Sequence, residues 1–141
     1  MTPGFVSDYL GYLLGQANHA LYKDFDTDVR KAGLRSLEWR VLATLSGSDS
    51  MTISQLAQEV LAKQPTVTKA VQRMVRHNWL SIQADATDQR RTVVSITSDG
   101  RAVVTPLLTQ AQRHEAQVLQ ALGNADVAAL KNLLAKLAQL K

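Results

Sequence analysis

KQPTVTKAVQRMVRHNWLSIQADATDQRRTVVSI, residues 63–96, reads as one amphipathic helix followed by a two-stranded hairpin with a polar tip. Pro65 sits where a helix tolerates proline best, in the first turn, because the amide hydrogen it lacks would be unpaired there anyway. From there Val67, Ala70, Val71, Met74 and Val75 recur at steps that place them on the buried side of a helix running to His77. Asn78 suits the left-handed residue that closes such a helix. Residues 80–84 and 92–96 have the β-branched content and partial alternation of short strands, and 85–91 is polar apart from Ala86. The whole excess of positive charge lies here as well. Between residues 63 and 91, six cations (Lys63, Lys69, Arg73, Arg76, Arg90, Arg91) stand against two carboxylates (Asp85, Asp88); the remainder balances ten basic and ten acidic residues, for a total of +4. Charge gathered in this way attracts and orients a polyanion, whereas the same charge spread evenly would only aid solubility.

Upstream, Val6, Leu10, Leu13, Ala17, Leu21, Phe25 and Val29 predict one long helix over 5–31, stopped by Gly33. Ser36 is placed to cap a second helix, with Glu38 in its first turn, where a carboxylate favours the dipole, and Leu37, Val41, Leu42 and Leu45 inside. The polar run 46–50 ends it. Thr52 and Gln55 make a capping box for a short third helix whose Leu56, Ala57 and Val60 face inward, and a turn at 61–63 leads into the fourth. Downstream, Thr97 or Ser98 caps a fifth helix reaching about residue 122, with a kink expected at Pro106. Gly123 and Asn124 break the chain again. Val127, Leu130, Leu133, Leu134, Leu137 and Leu140 then line one side of a terminal helix that so small a domain leaves uncovered, and a partner subunit is the natural cover. Trp39 is expected in the core, and Trp79 as the anchor of the hairpin to the helices.

The totals narrow the possible functions. At 141 residues the chain fits one domain and leaves no room for a second, catalytic one. It has no cysteine, which excludes disulfides, thiolate metal sites and a cysteine nucleophile. Residues 1–8 lack a basic leader and a long apolar core, and no apolar run approaches the roughly 18 residues of a membrane span, so a soluble cytoplasmic protein is expected. A membrane-surface helix would flank an apolar stripe with cations, whereas here the cations straddle a helix and a hairpin. There is no Gly-rich phosphate loop, nucleophile motif or carboxylate dyad, so no enzyme is expected and no cofactor is implied. His19, His77 and His114 lack metal-ligand spacing.

Two short helices joined by a tight turn, the second polar on one face, and then a β-ribbon make a winged helix-turn-helix: mainly α with a small β-hairpin. A helix with its side chains is about as wide as the major groove of duplex DNA, roughly 12 Å. On its outer face lie Gln64, Thr66, Thr68, Lys69, Gln72, Arg73 and Arg76. Amides and hydroxyls there can meet base edges, and the cations can also bind phosphates.

The chain resembles the MarR family of bacterial winged-helix transcription regulators over about residues 34–100. "GLRSLEWRVLATL" resembles the family's second helix, "TISQLAQEV" its third, "QPTVTKAVQRM" its recognition helix and "DATDQRRTVVSITSDG" its wing. The resemblance implies that Arg90, seven residues before Thr97, enters the minor groove, braced by Asp88, with Arg91 as an additional cation. Asn78 replaces the glycine usual after the recognition helix, and Ile96 the usual leucine. The resemblance further implies one domain over 1–141, with the winged unit at about 34–97 and dimerisation helices at 5–31 and 98–141. It also implies double-stranded DNA and a second copy of the chain as partners. A pocket for a small aromatic or lipophilic acid follows from it too, and Tyr12, His19, Trp39 and Arg40 are the residues suited to line it. Two readings stand: a homodimeric, sequence-specific repressor or other regulator, or a winged-helix adaptor or nonspecific DNA-binding protein.

Overall fold

The computed structural model describes residues 4–139. In chain order come α1 (Phe5–Asp8), α2 (Leu10–Tyr22), α3 (Phe25–Lys31), α4 (Ser36–Ser48), β1 (Ser50–Thr52), α5 (Ile53–Glu59), α6 (Gln64–Arg76), β2 (Leu80–Ala84), β3 (Thr92–Ile96), α7 (Ser98–Val118), a 3-10 turn (Leu119–Ala121) and α8 (Asn124–Ala138). The chain divides into two compact units. Residues 25–110 form a central unit, and the helices before residue 25 and after residue 110 form an outer one.

The helix expected over 5–31 is three helices. Tyr9 takes an extended backbone between α1 and α2, its amide donating to the Val6 carbonyl and its ring stacked on Phe5 at 5.1 Å. A second break at Lys23 and Asp24 separates α2, which buries nothing, from α3, whose Phe25 and Val29 enter the central core. An unbroken run of apolar positions reports a common face, and a face can persist across a break in the backbone.

Three helices of the central unit end in the same motif. After α3, α5 and α6, the residues Gly33, Leu61 and Asn78 take φ of 85°, 57° and 63°. In each case the next amide reaches back five residues, Leu34 to Val29, Ala62 to Ala57 and Trp79 to Met74, which satisfies carbonyls a helix end otherwise leaves open. Glycine and asparagine adopt this conformation readily; Leu61 does so at a cost of roughly 1 kcal/mol. Leu61 is also 87% exposed. The Thr52–Gln55 capping box forms as expected, each amide donating to the other's side-chain oxygen at 3.1 Å. Ser36 is not the cap of α4. Arg35 holds that position with an extended backbone, and the Glu38 carboxylate accepts its amide at 2.8 Å.

The expected hairpin is the larger part of a three-stranded antiparallel sheet, ordered β1-β3-β2, with Met51 and Ile82 both opposite Val94. Three residues carry too little alternation to reveal β1, and Thr52 serves the next helix at the same time. The core gathers Leu42, Leu45, Leu56, Val67, Val71, Met74, Leu80, Val94 and Val104. Helix α7 continues through Pro106, so the proline does not end it. In the outer unit no described residue is buried. Leu130, Leu133, Leu134 and Leu137 of the expected stripe stay exposed, and Leu140 lies outside the described residues.

The junction of sheet and α7 depends on one glycine. Thr97 caps α7 by accepting the Gly100 amide at 3.0 Å, while its hydroxyl donates to the Asn78 carbonyl at 2.6 Å and its amide to the Trp79 carbonyl at 3.1 Å. A Cβ on Gly100 would lie inside van der Waals contact of the Trp79 carbonyl oxygen and 2.9 Å from Ile96 Cγ1. Backbone cannot yield there as a flexible side-chain end would. Gly100→Ala is therefore expected to lower stability by about 1–3 kcal/mol or more, read as a shift in the urea midpoint; an unchanged midpoint would show that the junction has slack.

Candidate nucleic-acid interface

Helix α5 and the turn after it fix where α6 begins. Arg40 Nη1 donates to the Val60 carbonyl at 2.6 Å, tying α4 to the end of α5. On α6, Val67, Val71 and Met74 are buried, which leaves Gln64, Thr66, Lys69, Gln72 and Arg76 exposed and Thr68 half-buried. The Thr68 hydroxyl donates to the Gln64 carbonyl at 3.0 Å. Its proton thus engaged, the oxygen presents lone pairs outward and acts on a ligand as an acceptor.

The wing is ordered by its own aspartates. The Asp85 amide donates to the Arg91 carbonyl at 2.9 Å, and the Thr87 amide and hydroxyl donate to Asp85 Oδ1 at 3.1 and 3.2 Å. Asp88 Oδ1 accepts both the Arg90 amide at 3.1 Å and Arg90 Nε at 3.2 Å, and Arg91 Nε lies 3.8 Å from Oδ2. One carboxylate therefore braces two arginines. The Arg90 side chain remains 91% exposed, so the brace orients the cation without hiding it. Arg90, first through its side chain and then through its amide, holds the Asp88 carboxyl below the usual aspartate range, and Arg91 adds to this.

Helix and wing front a single cleft of about 530 Å3. Gln64, Thr68 and Gln72 line it from α6, Arg90 and Arg91 from the wing, and Ser54 and Gln55 from the start of α5. Thr66, Lys69 and Arg76 are exposed on α6 outside that lining. Arg73 departs from the outer face on which the sequence reading placed it. Its Nη1 bonds both oxygens of Glu38, a residue only 1% exposed on α4. A signal for this was present in the sequence: Glu38 falls three and four residues before Val41 and Leu42, on the buried stripe, where a carboxylate requires a cation. Of the residues named for an effector pocket, Trp39 packs edge-on to Phe25 at 4.9 Å and Arg40 serves the Val60 carbonyl, while Tyr12 and His19 are exposed in the outer unit.

The sequence profile of the MarR family matches residues 32–91. The MarR family transcriptional regulator SPO1453 from Silicibacter pomeroyi DSS-3 is 38% identical, with a TM-score of 0.84 over 96% of this chain and 97% of that one. The chain belongs to the MarR family. Among curated relatives of this MarR-family regulator, the homoprotocatechuate degradative operon repressor of Escherichia coli is 28% identical over 113 residues, 80% of this chain and 76% of that protein. The fold also matches Bordetella bronchiseptica BpsR, whose DNA binding is regulated by 6-hydroxynicotinic acid, at 24% identity and a TM-score of 0.86 over 99% of this chain and 100% of that one.

A carboxyl held below its ordinary range keeps its partner while ionised and loses it as pH falls through the lowered value. The Asp88 brace is therefore intact throughout pH 5–8 and fails only below the ordinary aspartate range. NMR titration of the Asp88 carboxyl carbon is expected to show a depressed midpoint that returns toward the ordinary one in Arg90→Ala. An equal midpoint in both proteins would dissolve the brace.

Proposed function

We propose that this MarR-family regulator is a cytoplasmic, homodimeric repressor that selects a pseudo-palindromic DNA site. The observation that carries the reading is the shared cleft, where Gln64, Thr68 and Gln72 of α6 face the same space as Arg90 and Arg91 of the wing. In this reading α6 enters the major groove. Gln64, Thr66, Thr68 and Gln72 read base edges, Lys69 and Arg76 meet phosphates, and Arg90, steadied by Asp88 and accompanied by Arg91, reaches the flanking minor groove. The acceptor character of Thr68 favours a base amino group, from adenine or cytosine, opposite it. Dimerisation is supported by an outer unit with no buried residue among those described and with Phe5, Leu10, Leu13, Leu133 and Leu134 exposed. A helical segment of that composition needs a cover, and a second copy provides one with the symmetry that a palindrome requires.

Selection from random duplexes at physiological salt, with sedimentation of the free protein, tests this directly. An enriched palindrome with half-sites about one helical turn apart, bound by a dimer, is the expected outcome. Arg90→Ala is expected to weaken binding to all duplexes and to flatten the log–log salt slope by about 1.8, about 0.9 for each protomer of the dimer, whereas Thr68→Val is expected to alter preference among sites. A monomer, or salt-limited binding without enrichment, would favour the adaptor or nonspecific reading instead.

The same proposal includes release by a small aromatic acid. It is supported by two relatives, one named for an aromatic degradative operon and one regulated by a hydroxylated aromatic acid. A true effector binds the folded state and raises its melting temperature, by an amount that grows with concentration. Screening hydroxylated benzoic, phenylacetic and nicotinic acids by thermal shift is expected to yield such a compound, and that compound is expected to weaken operator binding. A panel without shifts would remove this part.

A further inference from the structure

Glu38 is the single charged residue buried in the described core, and it ties the start of its own helix to α6. Its carboxylate accepts the Arg35 amide at the start of α4, and both its oxygens accept from Arg73 Nη1 on α6. Arg73 keeps a quarter of its side chain exposed, at the level of the helix where Gln72 and Arg76 point outward. A buried ion pair seldom stabilises a fold more than a packed apolar pair would, because desolvating the charges offsets their attraction. It differs from an apolar contact in direction. Val67, Val71 and Met74 can slide over their neighbours with little change in buried area, but Arg73 Nη1 bonds both carboxylate oxygens only over a narrow range of rotation of α6.

The magnitudes show why rotation matters. A helix with side chains has a radius of about 5–6 Å, so a turn of roughly 20° about its axis swings an outer side-chain tip by about 2 Å. Base-edge hydrogen bonds form over a window of about 0.5 Å and do not survive such a swing. Attraction between lysine or arginine and phosphate falls only slowly with distance and does survive it. A device that fixes rotation therefore acts on selectivity and leaves nonspecific affinity almost unchanged.

We propose that Arg73 is a positioning residue, not a DNA contact, and that its pair with Glu38 sets the rotation of α6 on which base selection depends. This rests on the reading of α6 as the DNA-reading helix. The test compares binding to the selected palindrome and to a scrambled duplex across a salt series, for wild type, the double variant Glu38→Leu with Arg73→Met, and Arg73→Lys. The double variant is expected to stay folded and dimeric and to lose about tenfold or more in the ratio of the two affinities. Its salt slope on scrambled DNA is expected to match wild type. Arg73→Lys, which keeps a cation opposite Glu38 on a stem of different reach, is expected to retain more of the ratio than the double variant. A slope flattened by about 1.8, about 0.9 for each protomer of the dimer, would mark Arg73 as a phosphate contact and overturn the proposal. An unchanged ratio in a folded variant would overturn it as well. Should the double variant fail to fold, Glu38→Gln, which keeps the shape and an acceptor for the Arg35 amide, is judged by the same ratio and slope. Absence of selectivity in wild type would remove the DNA-reading role of α6 itself, and the proposal with it, which separates that failure from the others.

Discussion

A buried carboxylate must meet a cation, and in this protein Glu38 meets one that belongs to α6. That requirement couples α4, which carries much of the core, to α6, whose far side faces solvent. The apolar residues of α6 decide which side is inward, and Arg73 decides how far round the helix may turn. The remaining geometry follows from α6. Asn78 reverses the chain in a left-handed conformation, the Trp79 carbonyl receives Thr97, and Gly100 lets α7 close against that carbonyl.

The wing solves a different problem. A strand-to-strand loop rich in arginine would repel itself and fluctuate, yet Asp85 and Asp88 hold it through short-range bonds to backbone and side chain. Exposed ion pairs contribute little to stability. Their value here is geometric: Asp88 aligns two cations while leaving Arg90 almost wholly accessible. Two of the region's cations, Arg90 and Arg91, are thus delivered from defined positions on the same cleft as Gln64, Thr68 and Gln72 of α6.

The outer unit is organised by what it lacks. Its helices present aromatic and leucine side chains in regular order, and none of the described ones is buried within the chain. The central unit has an interior of its own; the described part of the outer unit does not, because α1, α2, the last turns of α7 and α8 offer each other too few facing surfaces.

From sequence alone, local chemistry was legible: Pro65 in the first turn of α6, the Thr52–Gln55 box, the left-handed Asn78, and both wing strands at their observed bounds. These features arise from interactions within a few residues, so the residues themselves encode them. The motif order that marks the MarR family was legible for the same reason. Tertiary structure alone decided the rest. The break at Lys23 and Asp24 falls where the chain passes from one unit to the other, and β1 becomes a strand only because β3 lies beside it. The inward turn of Arg73 depends on a carboxylate 35 residues away. A periodic pattern states which residues share a face; it contains no information about what that face will meet, and burial of charge is settled by the meeting.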